Sequence, residues 1–190
     1  MVPNLGFEKW SSLEIVVMVV IAAVFGVIMT YGQFLFDLAY AAGGFWAANL
    51  LAGVFHTPGL MAAYMIRKKY TAFTTQMLNS VATVLLGSPT GLNDFMFGFL
   101  EGVGFEAGLA IWRYKRYDWL SIGVAAALSA PLSSIWVYVW LSLWTQPFWS
   151  WFPAEGLKFL YIQPYVLSIA VGLPKSLEKA GVVLPYQRGV

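Results

Sequence analysis

The sequence predicts an all-α membrane protein, built as one bundle of six transmembrane helices with both termini in the cytoplasm. Of the 190 residues, 59% are hydrophobic and 11% are charged, whereas an average soluble domain carries about 25% charged residues. Six windows of the chain approach the roughly 20 apolar residues that cross a bilayer core. The basic residues fall almost entirely on one side of these windows, which supports an even number of spans.

The six windows follow one another without a soluble domain, an internal repeat or a low-complexity segment. The first is an uninterrupted apolar run. The second contains the stretch HTPG at residues 56–59, where proline and glycine should break or kink a helix. We interpret it as one interrupted span, with two short helices as the alternative. The predicted spans, which form a single transmembrane domain over residues 1–190, are 12–36, 38–66, 71–86, 93–112, 119–144 and 155–173.

The basic residues predict the orientation of the bundle. Cytoplasmic loops of membrane proteins carry an excess of lysine and arginine. With the N-terminus in the cytoplasm, ten of the eleven basic residues fall on the cytoplasmic side, and only Lys158 falls outside. The ten are Lys9, Arg67, Lys68, Lys69, Arg113, Lys115, Arg116, Lys175, Lys179 and Arg188.

An aromatic segment, WTQPFWSWF, connects the fifth and sixth spans on the outer side. Tryptophan prefers the headgroup level of a bilayer, so an interfacial aromatic belt is the favoured interpretation. The alternative is a lid of aromatic rings over a site that opens outward, and one segment can serve both purposes.

Two glutamates lie in the fourth window. A carboxylate near the bilayer centre costs about 2.5–3.5 kcal/mol, so Glu101 and Glu106 should face a protein interior or a cavity. The two are five positions apart, about 140° around a helix, and therefore point in different directions. We expect a functional role for Glu101, whereas for Glu106 we favour a structural role, in which its carboxylate bonds to a neighbouring span. Asp94, at the outer start of this span, is expected to be a helix cap.

Polar stripes mark two further spans. Residues at helical spacing form one stripe on the third span and another on the second: Gln76, Asn79 and Thr83, and Trp46, Asn49, Gly53 and His56. Such stripes can hold helices together at about 0.6 kcal/mol for each bond. Because three spans carry them, we favour a pocket around a polar ligand, which Tyr31, Gln33 and Asp37 would close from above. For His56 a structural role is favoured.

Several classes of function lack their residues. The chain has no cysteine and one histidine, so we expect no metal site and no cofactor bound by this chain. It contains no GK[ST] motif for ATP hydrolysis, and no GxSxG, HExxH or nucleophile–base pair. No catalytic residue is therefore assigned, and we expect a protein that is not an enzyme and does not bind nucleic acid. Two inverted halves, typical of a secondary transporter, are not visible either.

Three sequence stretches carry a resemblance to a known family: GFWAANLLAG, the IRKK turn, and LLGSPTGLNDFMFGFLEGVGFEAGLAIWRYKRYDW. Over nearly all of residues 7–176 the chain resembles the substrate-binding S components of energy-coupling-factor (ECF) vitamin importers, and among them the YkoE-type thiamine/hydroxymethylpyrimidine family. The resemblance implies a six-helix protein in the lipid bilayer of a prokaryotic plasma membrane. It also implies assembly with a transmembrane coupling subunit and with two ATP-binding cassette ATPases, which use the ATP.

The resemblance assigns roles to a few residues. The small residues Ala22 and Gly26 nearly match the Ala-x-x-x-Ala pattern with which such proteins meet the coupling subunit. Gly102, Gly104 and Glu106 match the family's core motif. The family often has an amide at the position of Glu101, so its charge is a departure that leaves open which glutamate contacts the ligand.

Thiamine, the cargo implied by the resemblance, suits the predicted polar residues. Its thiazolium cation is stabilised by a carboxylate and by aromatic faces, at about 0.5–2 kcal/mol for a cation–π contact. The residues predicted to bind substrate are Glu101, Asn79, Gln33, Trp46, Asn49, Gln76, Glu106, Trp136 and Tyr138. The alternatives are hydroxymethylpyrimidine or another vitamin as cargo, a proton-coupled transporter with a relay of Glu101 and Glu106, and an assembly factor whose glutamates only bond neighbouring helices.

Overall fold

The computed structural model describes residues 9–182 and 184–188; residues 1–8, 183, 189 and 190 of the predicted domain, and the side chain of the basic residue Arg188, lie outside this description. Within the described ranges the regular structure is entirely helical, which confirms the all-α class. The helices are α1 (Ser12–Asn49), α2 (Ala52–Phe55), α3 (Thr57–Ile66), α4 (Thr71–Leu85), α5 (Asn93–Ile111), α6 (Trp119–Trp140), α7 (Phe148–Gly156), α8 (Lys158–Tyr165) and α9 (Leu173–Lys179). A π-helical segment (Val166–Gly172) joins α8 to α9, and short 3₁₀ turns cover Leu143–Thr145 and Pro185–Arg188.

A capping box starts α1. The backbone nitrogen of Glu14 donates to Ser11 Oγ at 3.3 Å, and the backbone nitrogen of Ser11 donates to Glu14 Oε2 at 2.6 Å. This reciprocal pair satisfies two backbone donors that a helix start leaves free. Lys68, in the turn before α4, donates to the same carboxylate at 2.8 Å. The start of α1 is thereby tied to the α3–α4 connection.

The predicted boundary between the first two spans, at residue 37, differs from the structure. Helix α1 continues past Asp37, whose carboxylate accepts a hydrogen bond from Gln33 Nε2 at 2.9 Å, one turn earlier. The backbone instead leaves helical geometry at Gly43 and Gly44, where Gly44 has φ of 64°. Such a conformation favours glycine because it has no Cβ. The change of direction therefore comes at these two glycines, six to seven residues later than expected.

The interruption predicted in the second span is confirmed. Helix α2 ends at Phe55, His56 lies at the junction, and α3 begins at Thr57 with Pro58 in its first turn. Proline is tolerated there because its missing N–H would have no partner within the helix. The junction places the His56 side chain in the protein interior, where it is 1% exposed.

Two of the described helices, α1 and α6, are long and apolar enough to cross a membrane by themselves. A third span is added if α7 and the helical stretch Lys158–Lys179, which meet at 41°, form one broken span. Helix α4 is a continuous helix of 15 residues, and most of its buried side chains are polar. The count of six spans and the cytoplasmic placement of both termini stay predictions.

Helix α5 lies at the centre, between α4 and α6. A Cβ atom on Gly104 would lie 2.4 Å from Ser129 Cα, and one on Gly108 would lie 2.3 Å from Ala125 Cα. Only glycine fits at such distances, so these positions let the backbones of α5 and α6 touch. The close seam fixes how the polar side chains of α5 face its neighbours.

Ala22 and Gly26 pack inside this structure. Both are buried, and a Cβ on Gly26 would lie 2.7 Å from Ala82 Cβ on α4. Asn79 of α4 also donates to the Ala22 carbonyl at 3.0 Å. The pair therefore forms the α1–α4 seam. Its contact with a coupling subunit stays a prediction that would require α1 and α4 to separate.

Candidate functional site

A cavity of about 740 Å³, which includes space open to solvent, lies among α1, α2, α4, α5, α6 and α8. Its polar lining is Gln33, His56, Gln76, Asn79, Ser80, Thr83, Ser88, Asp94, Glu101 and Lys158. Its larger apolar lining residues are Met29, Phe36, Phe55, Phe97, Val137, Trp140 and Leu141. A cavity that combines a few converging polar groups with aromatic walls is the usual form of a small-molecule site.

Glu101 lies at the buried wall of this cavity, with 4% of its surface exposed. Its Oε2 accepts a hydrogen bond from Gln76 Nε2 at 2.7 Å, and its Oε1 lies 3.5 Å from His56 Nε2. Both neighbours come from other elements, α4 and the α2–α3 junction. The carboxylate is therefore held in one orientation by groups that α5 itself does not supply.

Both amide hydrogens and the amide oxygen of Gln76 form hydrogen bonds to fixed partners. Its Nε2 donates both to Glu101 and to the Phe55 carbonyl at 3.0 Å, while its Oε1 accepts from the Gly59 nitrogen at 3.2 Å. The Gly59 contact requires an oxygen at that position, so the orientation of the amide is determined. Gln76 is thus a positioning residue for Glu101.

His56 and Lys158 complete the inner wall. His56 Nδ1 lies 3.1 Å from the Ala52 carbonyl, one turn earlier. Lys158, the first residue of α8, is 6% exposed, and its Nζ lies 3.5 Å from Glu155 Oε2. A buried ammonium group requires a carboxylate partner. The cavity therefore contains a lysine whose charge is already paired.

Asp94 lines the cavity from the first turn of α5. The prediction that Asp94 caps this helix is wrong. The N-cap residue is Leu92, and no side chain forms a capping hydrogen bond at this N-terminus. Oδ2 of Asp94 is buried without a hydrogen-bond partner among the described residues. Burying such an acceptor costs about 1–3 kcal/mol. The carboxylate is thus available to a donor or a cation in the cavity.

Four residues predicted to bind substrate line this cavity together: Gln33, Gln76, Asn79 and Glu101. Gln33 reaches it from α1, and Gln76 and Asn79 from consecutive turns of α4. This arrangement brings the polar stripe of α4 and the inward carboxylate of α5 together at one cavity.

The other five predicted residues do not line it. Trp46 is 47% exposed and meets Tyr161 edge to face at 6.3 Å. Asn49 donates to Glu155 Oε1 at 3.0 Å, as part of the contact between α1 and α7. The other three lie elsewhere as well: Glu106 at the start of α4, Trp136 with its buried Nε1 unbonded to any described residue, and Tyr138 in a second groove.

That second groove, of about 860 Å³ including space open to solvent, lies between α6, α7 and α8. Tyr138, Trp151 and Phe152 form its aromatic wall, and Glu155 lies on its lining. Glu155 also accepts a hydrogen bond from Ser134 Oγ at 2.8 Å. None of the aromatic residues of the 144–152 segment lines the main cavity, so the proposal of a lid over it receives no support from the lining.

Three titratable residues of the lining were not predicted as binding residues. The sequence marks His56 as a lone histidine beside a kink, Lys158 only as a basic residue on the outer side, and Asp94 as a cap. The available signal was charge within apolar windows, which had marked Glu101, a residue that lines the cavity. The same signal would have marked Lys158, at the start of the sixth window, and the partnership of His56 with Glu101 needs the three-dimensional fold.

Comparisons with known proteins agree with this architecture. Residues 13–132 match the family described as "ABC-type cobalt transport system, permease component". A curated relative, the "Putative HMP/thiamine permease protein YkoE" of Bacillus subtilis (strain 168), is 29% identical over 127 residues, which are 67% of this chain and 63% of the relative. The alignment thus spans less than two thirds of the relative's length.

A solved structure described as "Crystal structure of an S-component of ECF transporter" superposes with a TM-score of 0.86. It is 24% identical, and the superposition covers 92% of this chain and 89% of that one. The chain therefore has the fold of an S component, and the resemblance drawn from the sequence is confirmed.

Proposed function

The chain belongs to the permease components of ABC-type cobalt transport systems, and from this premise we propose that it captures thiamine for an ATP-driven importer of the energy-coupling-factor class. The observation that carries the proposal is the buried carboxylate of Glu101, held by Gln76 on the wall of a cavity with aromatic sides. The family is one of transporter components, and its members are not enzymes.

The lining favours an organic cation as cargo. Glu101 and Asp94 supply carboxylates, and Phe36, Phe97 and Trp140 supply aromatic surfaces in the same cavity. A cation over an aromatic ring gains about 0.5–2 kcal/mol, and more when the site is desolvated. Thiamine combines a permanent thiazolium charge with a flat aminopyrimidine, so one molecule uses both kinds of group.

The amides on the other side of the cavity suit the pyrimidine. Asn79 and Gln33 lie on α4 and α1, and both line the space that Glu101 faces. Side-chain amides donate and accept, as the ring nitrogens and the amino group of a pyrimidine require. The curated relative is named for HMP and thiamine, two molecules that share this ring. Hydroxymethylpyrimidine is therefore the second candidate cargo.

Partners follow from the proposed class. The sequence contains no nucleotide-binding loop, so energy must come from ATPase subunits that act through a membrane-embedded coupling subunit. In the proposed assembly this chain crosses the plasma membrane of a prokaryote six times, with both termini cytoplasmic. Two contacts between basic segments support this orientation. Lys69 Nζ lies 5.6 Å from the ring centre of Tyr114, which follows α5, and Lys68 donates to the Lys9 carbonyl at 3.1 Å. These contacts gather basic segments at one end.

The rival with a proton relay through Glu101 and Glu106 has less support. Glu106 does not line the cavity, and its carboxylate accepts backbone hydrogen bonds from Tyr70 and Phe73 at the start of α4. The two carboxylates therefore serve different places in the fold. Uptake that requires a proton gradient and no ATPase partner would favour the relay.

A fluorescence titration of the detergent-purified chain tests the proposed function. Trp140 lines the cavity, so thiamine should quench tryptophan emission saturably, and Trp140→Phe should remove much of the signal. Trp149→Phe is the matched control, because Trp149 is 77% exposed and does not line the cavity.

Glu101→Gln should weaken thiamine binding about 10- to 100-fold, as expected for a lost charged hydrogen-bond partner. Asp118→Asn is the control. It removes an exposed carboxylate at the start of α6, whereas Trp140 lines the cavity from the end of this helix, so the thiamine affinity should not change. Folded protein that shows no saturable response to thiamine would overturn the cargo, and a response to hydroxymethylpyrimidine alone would replace it.

A further inference from the structure

We propose that His56 and Glu101 share one proton in the empty cavity, and that a cationic ligand expels this proton when it binds beside Glu101. The proton follows from the geometry of the pair. The charge of the ligand rests on the proposed function. The pair would then act as a second binding site, for a proton, whose occupancy excludes the cation.

The tautomer of His56 is set by its neighbour. Nδ1 lies 3.1 Å from the Ala52 carbonyl oxygen, which can only accept a hydrogen bond. Nδ1 therefore carries a hydrogen. In a neutral ring the other nitrogen, Nε2, is then a bare acceptor, and it faces Glu101 Oε1 at 3.5 Å.

If the ring is neutral and the carboxyl group is ionised, His56 Nε2 and Glu101 Oε1 are two acceptors that face each other with no hydrogen between them. Nε2 of His56 has no hydrogen-bond partner among the described residues, and both side chains are buried, at 1% and 5% exposure. An unsatisfied buried acceptor is costly, and more so when it is charged. One proton between the two atoms satisfies both, whether the carboxyl group or the imidazole carries it. The pair is then neutral overall.

The surrounding elements supply little other charge to Glu101. Helix α4 offers the neutral amide of Gln76, and α1, α2 and α6 present uncharged lining residues. The charged groups that face the pair are Asp94 on α5 and Lys158 on α8, and Lys158 is paired with Glu155 of α7. A proton is therefore the partner that balances Glu101 in the empty cavity.

A permanent cation changes this balance. When it approaches Glu101, it stabilises the carboxylate directly and repels a second positive charge at His56. The proton leaves to bulk solvent, and the ring remains neutral with Nδ1–H bonded to Ala52. A neutral ligand supplies no replacement charge and leaves the proton in place. The pair thus distinguishes cationic from neutral cargo.

Calorimetric titration with thiamine tests this inference. Experiments at pH 7 in phosphate and in Tris, buffers with different ionisation enthalpies, give the number of protons released. We expect about one proton for each thiamine, and affinity that rises by up to about tenfold per pH unit between pH 6 and pH 7. Hydroxymethylpyrimidine should release none at pH 7. Thiamine binding without proton release would overturn the inference and leave the proposed function intact, whereas absence of thiamine binding would overturn both.

Two variants locate the proton. His56→Gln offers an amide donor to Glu101 in place of the titrating ring, so the proton count should fall toward zero and the pH slope should flatten. Asp94→Asn removes the other acidic group on the cavity lining; it should weaken binding but keep the release of about one proton. An unchanged proton count in His56→Gln would overturn the assignment. If this variant does not fold, the proton count of the unmodified protein still decides.

Discussion

The carboxylate of Glu106 on α5 accepts a hydrogen bond from the backbone nitrogen of Phe73 on α4, at 3.1 Å. Its second oxygen accepts from the backbone nitrogen of Tyr70 at 3.2 Å. The first turn of a helix has backbone donors without partners inside the helix, and its positive dipole end favours a negative charge. Glu106 therefore closes the start of α4 from a neighbouring helix, which agrees with the structural interpretation of this residue.

We predict that Glu106→Ala destabilises the protein without a comparable loss of ligand binding. Removing the carboxylate takes away the acceptor of two backbone hydrogen bonds, and a hydrogen bond to a charged group contributes about 1.5–3 kcal/mol. Glu106→Gln should cost less, because its amide oxygen still accepts one of the two bonds. Thermal unfolding in detergent measures the effect, with thiamine affinity as the second readout. An affinity loss as large as that of Glu101→Gln, at unchanged stability, would contradict the structural role.

The seam between α5 and α6 provides a second prediction. Gly104→Ala places a Cβ 2.4 Å from Ser129 Cα, so the two helices must move apart. Such overpacking typically costs about 1–3 kcal/mol. Gly32→Ala on α1 is the matched control, since its Cβ would meet only the end of Phe55 at 3.9 Å. That substitution should leave the unfolding temperature equal or slightly higher, because alanine favours a helix over glycine by up to about 1 kcal/mol. Equal stability of both variants would show that the seam is not close-packed.

The sequence was informative where the predicted direction of a side chain depends on one uninterrupted helix alone. Gln76 and Asn79 keep their helical spacing because α4 is uninterrupted, and Glu101 is inward because a carboxylate in an apolar window must avoid lipid. The predicted stripe of Trp46, Asn49, Gly53 and His56 does not form one face, for the opposite reason. The backbone breaks within the stripe, between α1 and α2 and again between α2 and α3, so spacing along the sequence no longer defines one face.

Other relationships depend on contacts between distant segments. Glu106 bonds to backbone nitrogens, which no residue pattern reveals. Lys158 reaches the cavity only because α7 and α8 fold back against α6 and α2. Periodicity within a helix therefore predicted part of the cavity, while the ionic and backbone contacts around it required the fold.

A third prediction concerns Glu155, which joins three elements. It accepts hydrogen bonds from Asn49 on α1 and Ser134 on α6, and it pairs with Lys158 at 3.5 Å. Glu155→Ala leaves a buried ammonium group without its partner, a change that typically costs about 3–5 kcal/mol.

The double variant Glu155→Ala with Lys158→Met removes both charges and should recover part of that loss. Unfolding temperatures of the two single variants and the double variant form a double-mutant cycle, in which a coupling of about 0.5–3 kcal/mol is expected between contacting residues. Strictly additive effects would show that Glu155 and Lys158 do not interact.

The last prediction concerns how stability depends on pH through Asp118, the residue that precedes and caps α6. The Asp118 carboxylate accepts hydrogen bonds from the Ser121 backbone nitrogen and from Arg116, and these lower its pKa to about 2. The folded pKa lies below the unfolded value of about 3.9. The contribution of Asp118 is therefore complete above about pH 5 and is lost as the pH falls toward 2. Asp118→Ala should cost about 0.5–2 kcal/mol at pH 6 through the lost helix cap, whereas Asp118→Asn keeps a capping oxygen and should cost less. Unfolding temperatures measured from pH 6 to pH 2.5 should converge for the unmodified protein and Asp118→Ala at the acidic end. Curves that remain parallel over this range would contradict the role of the ionised carboxylate.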